Sequence, residues 1–176
     1  MTVTRPVVVL VGPMGAGKTT VAALLAAAWG TSARDTDADV EAGEGRSISD
    51  IFVDSGEEHF RALERAAVER AVAEHDGVLA LGGGAVLDPA TRELLASQRV
   101  VFLRVGLSEA VKRVGLGSAR PLLLGNVRGR IKALLDERTP IYEAVATETV
   151  DTDGRTPDEV ADEILRKVAV PISDGP

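Results

Sequence analysis

The sequence predicts one α/β domain, a parallel β-sheet with helices packed on both faces. Three observations carry this. The apolar runs Val7–Val11, Val78–Leu81 and Val100–Leu103 are continuous rather than alternating, the pattern of strands buried on both faces. Helical segments separate them, as parallel crossovers require. The chain is 176 residues long, which suits a single domain that folds around its own core without a disulfide or structural metal.

The elements follow in order. Val7–Val11 is the first strand. Gly12 to Thr19 is glycine-rich, and from Lys18 to Trp29 apolar residues and alanines suit a helix ended by Gly30. Trp29 reads as a packing anchor on that helix. A short second strand runs to Arg34 and is followed by Asp35-Thr36-Asp37. Residues 47–54 and 57–75 read as helices, the second stopping at Asp76-Gly77. Val78–Leu81 is the third strand, cut off by Gly82-Gly83-Gly84. Pro89–Ser97 is a short helix with proline at its start, Val100–Leu103 the fourth strand, and Ser108 the expected cap of the next helix. Residues 115–129 hold several glycines with Arg120 and Arg128, and are expected to form a mobile lid. Helical pattern resumes at 130–137 and 140–146. Thr149-Val150 is a fifth strand, Pro157–Val168 a closing helix, and Pro171–Pro176 an expected frayed tail. The expected domain is 1–176, with its core at about 7–168.

Composition narrows the function. Lys and Arg total 20 against 27 Asp and Glu, a formal charge of −7, which argues against a general nucleic-acid or anionic-membrane binder. Zero cysteines exclude a thiol nucleophile and a cysteine-ligated zinc, and two histidines argue against a multi-histidine metal site. The run Val7–Val11 falls far short of the ~20 residues of a membrane span, and a cytoplasmic location is expected. Aromatic residues are only 3%, so the core must be Val, Leu, Ile and Ala.

Gly12-Pro13-Met14-Gly15-Ala16-Gly17-Lys18-Thr19 fits G-x-x-x-x-G-K-[ST], directly after a buried strand and opening a helix. Glycines let successive backbone N–H groups turn toward phosphate oxygens, and the helix adds the positive end of its dipole. Lys18 then reaches the β- and γ-phosphates, and the Thr19 hydroxyl ligates Mg²⁺. The expected nucleotide contacts are Gly12, Pro13, Met14, Gly15, Ala16, Gly17, Lys18, Thr19 and Thr20. A GTPase would carry N/T-K-x-D, which is absent, and Asp151-Thr152-Asp153-Gly154 follows the last strand and reads as a turn. A motor ATPase would end an apolar strand in Asp, where this chain has Gly82 and Arg104. A small-molecule kinase remains.

Its acceptor side is less explicit. Asp35 and Asp37 would share one face of an extended segment, where two carboxylates can hold hydrated Mg²⁺ and a substrate hydroxyl. Arg61 and Glu64, three apart on a helix, read either as a surface pair or as an arginine braced toward a ligand. Gly82-Gly83-Gly84 is either a tight turn or a place where a ligand approaches bare backbone. Arg120 precedes Pro121 in the lid, and Arg138 precedes Thr139-Pro140. His59 and His75 read as helix-surface residues without a role.

Taken together, Gly12–Thr19, Asp35-Thr36-Asp37, Ile51-Phe52 with Gly56-Glu57, Phe60-Arg61-x-x-Glu64, Leu81–Ala85, Arg120-Pro121-Leu122-Leu123 and Arg138-x-Pro140-x-Tyr142 resemble the shikimate kinase family from about Val7 to Val168. The resemblance implies a five-stranded parallel sheet of order 2-3-1-4-5 and ATP-dependent phosphorylation of the 3-hydroxyl of shikimate, on the route to chorismate and aromatic amino acids. It implies Mg²⁺ as cofactor, held by Thr19 and, through water, by Asp35. It implies catalytic roles for Lys18, Asp37 and Arg120. Asp37 would bind the shikimate hydroxyls, Arg61 and Arg138 its carboxylate, with Glu64 bracing Arg61 and Gly82, Gly83 and Gly84 lining the pocket. Arg113 and Arg155 would flank adenine, on weaker motifs. Expected partners are ATP and shikimate, with no nucleic acid or membrane, for a monomeric enzyme. Two other readings stand beside it, a kinase of another small hydroxy acid such as gluconate and a non-catalytic nucleotide-binding module.

Overall fold

The computed structural model describes residues 6–117 and 126–168. The strands are β1 (Val8–Val11), β2 (Ala33–Asp35), β3 (Val78–Ala80), β4 (Val100–Arg104) and β5 (Glu148–Asp151). They form one sheet in the order β2-β3-β1-β4-β5, with every neighbouring pair parallel, as expected. The helices are α1 (Lys18–Trp29), α2 (Thr36–Glu44), α3 (Ile48–Ser55), α4 (Glu57–Glu74), α5 (Pro89–Leu95), α6 (Leu107–Gly117), α7 (Val127–Val145) and α8 (Pro157–Lys167).

The pleat of β1 divides the core. Val8 and Leu10 face α1 and α8, where Val21, Leu25, Val160 and Ile164 pack against them. Val9 and Val11 face the opposite layer, with Val68 and Val72 of α4, Leu95 of α5 and Tyr142 of α7. Side chains that alternate on a strand therefore each meet a helix layer, which is why the strands read as unbroken apolar runs. A third cluster, Val40, Ile51, Phe60 and Ala67, joins α2, α3 and α4 outside the sheet. Trp29 packs against the first layer, as expected of an anchor.

Four expectations change. Asp35-Thr36-Asp37 is not an extended segment. Asp35 ends β2 and caps α2, its Oδ1 accepting from the Asp37 and Ala38 N–H groups at 2.8 and 3.4 Å, and Asp37 lies in the first turn. Capping by aspartate outweighs the weak helix signal of this acidic stretch. Ser108 lies inside the first turn of α6 rather than at its cap. Residues 130–137 and 140–146 belong to one helix, α7, which starts at Val127 under the Asn126 cap and runs through Pro140. The expected lid 115–129 thus overlaps the end of α6 and the start of α7, while residues 118–125, Arg120 included, lie outside the described residues, as does the tail 171–176. Finally, His75 is not a bystander: its Nε2 lies 3.1 Å from the carbonyl oxygens of both Ser32 and Val78, tying the start of β3 to the segment before β2.

Candidate active site

The carboxyl ends of β1, β2 and β3 open into a cleft of about 530 Å³. Its floor is the glycine-rich loop. Gly12 leaves β1 at φ +153°, and a Cβ there would stand 2.7 Å from the Leu103 carbonyl oxygen of β4. Only glycine lets β1 turn at this point. Gly15 and Gly17 have φ of +83° and +88°, and Gly17 precedes α1 without any side-chain cap. The first N–H groups of α1 are therefore left for an anion.

Lys18 curls over the loop, its Nζ donating to the carbonyls of Gly12 at 2.7 Å and Pro13 at 3.0 Å. Burial lowers its pKa to about 8, against the pull of Asp37 and Asp35, and Arg138 adds to the lowering. The Thr19 hydroxyl donates to Asp35 Oδ2 at 3.0 Å. The loop and the aspartate pair thus meet at one corner of the cleft, with Asp35 reaching it from a strand end and Asp37 from a helix start.

Opposite the loop, three charged side chains lean over three glycines. A Cβ on Gly82 would lie 2.3 Å from Asp37 Oδ1, one on Gly84 2.4 Å from Arg61 Nη1, and one on Gly83 3.7 Å from Arg138 Nη1. At Gly82 and Gly84 a side chain would displace a charged group of the site, whereas at Gly83 a Cβ would make only ordinary contacts, with the loop backbone at 3.6 Å and with Arg138. Gly83 and Gly84 line the cleft, whereas the Gly82 N–H is taken by the Thr36 hydroxyl at 3.2 Å, so Gly82 serves as bare surface under Asp37.

The Arg61–Glu64 pair is not a surface pair. Glu64 is 3% exposed and its Oε1 accepts from Arg61 Nη1 at 2.8 Å. Burial raises the Glu64 pKa, against the opposing effect of Arg61. Arg61 also lies over the Phe60 ring, 5.3 Å from its centroid. Burial and repulsion from Asp35 raise the Asp37 pKa, opposed by Lys18 and Arg61 and aided by Glu41. Arg138 lines the same cleft from α7, and its Nε is buried without a hydrogen-bonding partner among the described residues. A buried donor in that state is costly until an acceptor reaches it.

A second cavity of about 270 Å³ opens on the far side of the loop, lined by Gly15, Ala16, Gly17, Val21, Arg113, Thr152, Arg155 and Pro157, among others. Arg113 donates to the Gly15 carbonyl at 2.9 Å and to the Thr152 hydroxyl and carbonyl, both at 3.1 Å. Arg155 donates to the Asp151 carbonyl at 2.9 Å and to Glu163 at 2.8 Å. The two arginines, each held by backbone and side-chain acceptors, thus line this cavity beside the loop.

Sequence reasoning left some of this without a role. Phe52 and Phe60, with ring centroids 4.8 Å apart, give the cleft an apolar wall together with Ile48 and Leu134. Thr36 and Tyr142 sit under the glycine turn. Phe52, Phe60, Thr36 and Tyr142 all stand inside motifs already singled out, so the signal was present as motif membership without a function attached.

The sequence model of the family described as shikimate kinase matches residues 14–169. The chain is 58% identical over 163 residues to the shikimate kinase of Streptomyces coelicolor, covering 93% of this chain and 95% of that one. It is 56% identical over 164 residues to the shikimate kinase of Thermobifida fusca, covering 93% and 95%. Among solved structures, shikimate kinase from Acinetobacter baumannii in complex with shikimate superposes with a TM-score of 0.87 at 36% identity, covering 94% of each chain.

Proposed function

The chain belongs to the shikimate kinase family, and from that premise we propose how its residues divide the work of the reaction. It is an ATP-dependent shikimate kinase. The γ-phosphoryl group passes to a shikimate hydroxyl, the 3-hydroxyl on the family resemblance. The bond from that oxygen to γ-phosphorus forms as the bond to the β-bridging oxygen breaks, and ADP leaves. Among the described residues no side chain of the cleft stands out as a nucleophile that could carry the phosphoryl group itself, which favours direct transfer. Catalysis is then mostly positioning and charge neutralisation.

Lys18 exchanges the Gly12 and Pro13 carbonyls for the β- and γ-phosphates, in a setting where burial makes its charge count for more. Asp37 receives the acceptor hydroxyl. Its raised pKa makes it a better late proton acceptor than an exposed aspartate. Arg61 and Arg138 grip the shikimate carboxylate as guanidinium forks, and Glu64 holds Arg61 in place. Arg120 is assigned to the transferring phosphate on the family resemblance. Arg113 and Arg155 flank the adenine.

Thr19 and Asp35 fit Mg²⁺: a hydroxyl and a carboxylate 3.0 Å apart are hard oxygen donors, and Mg²⁺ takes few protein ligands besides phosphate oxygens and water. When bound it would draw charge from the β- and γ-phosphate oxygens. We further propose a single-domain, monomeric, cytoplasmic enzyme. A cysteine-free sequence suits a reducing compartment. No helix among the described residues is long and apolar enough to cross a membrane.

The observation that carries the acceptor assignment is the meeting of Asp37, Arg61 and Arg138 over Gly82–Gly84. It presents one carboxylate and two guanidinium groups to the same small space, a match for a polyhydroxy carboxylate. ADP release should be measured with ATP alone and with shikimate, shikimate methyl ester or gluconate. The expected result is turnover with shikimate, little with the ester, and little with gluconate. Equal turnover of acid and ester would remove the carboxylate clamp, and gluconate turnover above that of shikimate would favour the other kinase reading.

A further inference from the structure

Each charged group of the acceptor pocket has a neighbour that ties its own element down. For Arg61 the neighbour is Glu64, one turn along α4. The other two ties are hydroxyls, and both end on the glycine turn. Thr36, fully buried and adjacent in sequence to Asp37, accepts from the N–H of Gly82, the glycine over which Asp37 leans. Tyr142, fully buried and one helical turn after Arg138, donates its hydroxyl to the carbonyl of Gly83 at 2.5 Å, and Gly83 lies beside Arg138, whose Nη1 would be 3.7 Å from a Cβ there. Residues four apart on a helix stand on the same face, so the phenol fixes the face of α7 that carries Arg138.

We propose that the hydroxyls of Thr36 and Tyr142 are positioning groups of the shikimate pocket, setting the placement of Asp37 and Arg138 as Glu64 sets that of Arg61. A turn of three glycines is the most mobile backbone a chain can have. Without these two ties it would drift relative to α2 and α7, and the charges would no longer converge on one ligand. Loss of such placement weakens binding of the acceptor, while the nucleotide side, held by the loop and by Arg113, is untouched. The packing roles are separable from the ties. The Tyr142 ring stacks on Phe102 with centroids 5.0 Å apart, a contact that phenylalanine keeps.

The proposal rests on the acceptor assignment above, so the test includes Arg138→Lys as a control for that assignment. Dissociation constants for shikimate and for ATP should be measured by calorimetry for the wild type, Tyr142→Phe, Thr36→Val, Thr36→Ser and Arg138→Lys. Tyr142→Phe and Thr36→Val should each weaken shikimate roughly 5- to 20-fold, the effect of one buried hydrogen bond. ATP binding should stay within about twofold, and Thr36→Ser should bind shikimate like the wild type. If Arg138→Lys weakens shikimate and the two hydroxyl deletions do not, the positioning role is overturned. If ATP and shikimate weaken in parallel, the hydroxyls serve general stability and the proposal falls as well. If Arg138→Lys leaves shikimate binding unchanged, the acceptor assignment fails and takes the proposal with it. Should Thr36→Val fail to fold, Tyr142→Phe decides alone.

Discussion

The cations of the nucleotide side are already engaged, while on the acceptor side one keeps a buried N–H without a partner among the described residues. Lys18 donates to two loop carbonyls, Arg113 to Gly15 and Thr152, and Arg155 to Asp151 and Glu163. On the roles proposed above, a nucleotide would meet side chains already tied to the fold, with Lys18 exchanging one set of oxygens for another. Arg138, by contrast, buries an Nε with no partner among the described residues. A carboxylate that reaches it relieves a cost the folded chain already carries, and an uncharged analogue does not. On that proposal the nucleotide side suits firm, general phosphate binding, and the acceptor side discrimination.

The largest expected effect lies on the nucleotide side. Lys18→Ala removes the buried cation at the β- and γ-phosphates and should lower single-turnover phosphoryl transfer about 10³-fold. Near wild-type transfer would break the comparison at its root. Next comes the arginine of the acceptor side. Arg138→Lys loses the planar fork and should weaken shikimate roughly 10- to 100-fold, at about 1.5–3 kcal/mol for a charge-assisted hydrogen bond. ATP affinity, read in the same titration, should barely move.

Two glycines sharpen the contrast further. Gly12→Ala would press a Cβ toward a backbone carbonyl at 2.7 Å in a left-handed region of φ, and nothing there can yield. It should destabilise the fold by roughly 1–3 kcal/mol, read as a lower Tm. Gly84→Ala meets only the tip of Arg61, at 2.4 Å, and a long side chain can swing away. Its Tm should stay close to wild type while shikimate affinity falls about tenfold. A large Tm loss in Gly84→Ala would show that the turn, not the pocket, needs the glycine.

The same contrast governs what could be read from the sequence. The phosphate loop is contiguous, its glycines dictate local backbone, and Lys18 and Thr19 follow in fixed register, so eight residues state their own function. The central strands β1, β3 and β4 are equally plain because burial on both faces leaves unbroken apolar runs, whereas the edge strands β2 and β5 are only partly buried and carry no such run. The acceptor pocket draws on α2, α4, the turn after β3 and α7, and each of its segments, read alone, is short enough to pass for a turn or a surface pair. Arg61 with Glu64 looked like a surface pair because burial of Glu64 depends on α2 and α3 packing against α4. The helix at Thr36–Glu44 was missed because its stability comes from the Asp35 cap and from Val40 in the third cluster, not from helix propensity. Only the family resemblance joined those fragments, and it gave Thr36 and Tyr142 no task because their bonds run to the backbone of a distant turn.

The smallest expected effect concerns Asp37, where function and stability part. Burial and the neighbouring Asp35 raise its pKa above 3.8, and the attraction of Lys18 and Arg61 does not cancel them. In the pH window between 3.8 and that raised value, the folded chain binds more protons at this position than the unfolded one. Stability therefore falls as pH rises through the window, and above it the full cost of an ionised Asp37 is present. Asp37→Asn removes that charge while keeping the shape. It should abolish most phosphoryl transfer yet raise Tm at neutral pH by about 1–3 °C, small because partial exposure screens the repulsion. The gain should shrink as pH falls through the window and vanish below 3.8, where the native side chain is protonated in both states. Thermal melts of the two proteins at several pH values check this. A Tm that drops at neutral pH would mean that Lys18 and Arg61 hold Asp37 more strongly than burial and Asp35 oppose it, and that the acceptor side, like the nucleotide side, is already paired before its ligand arrives.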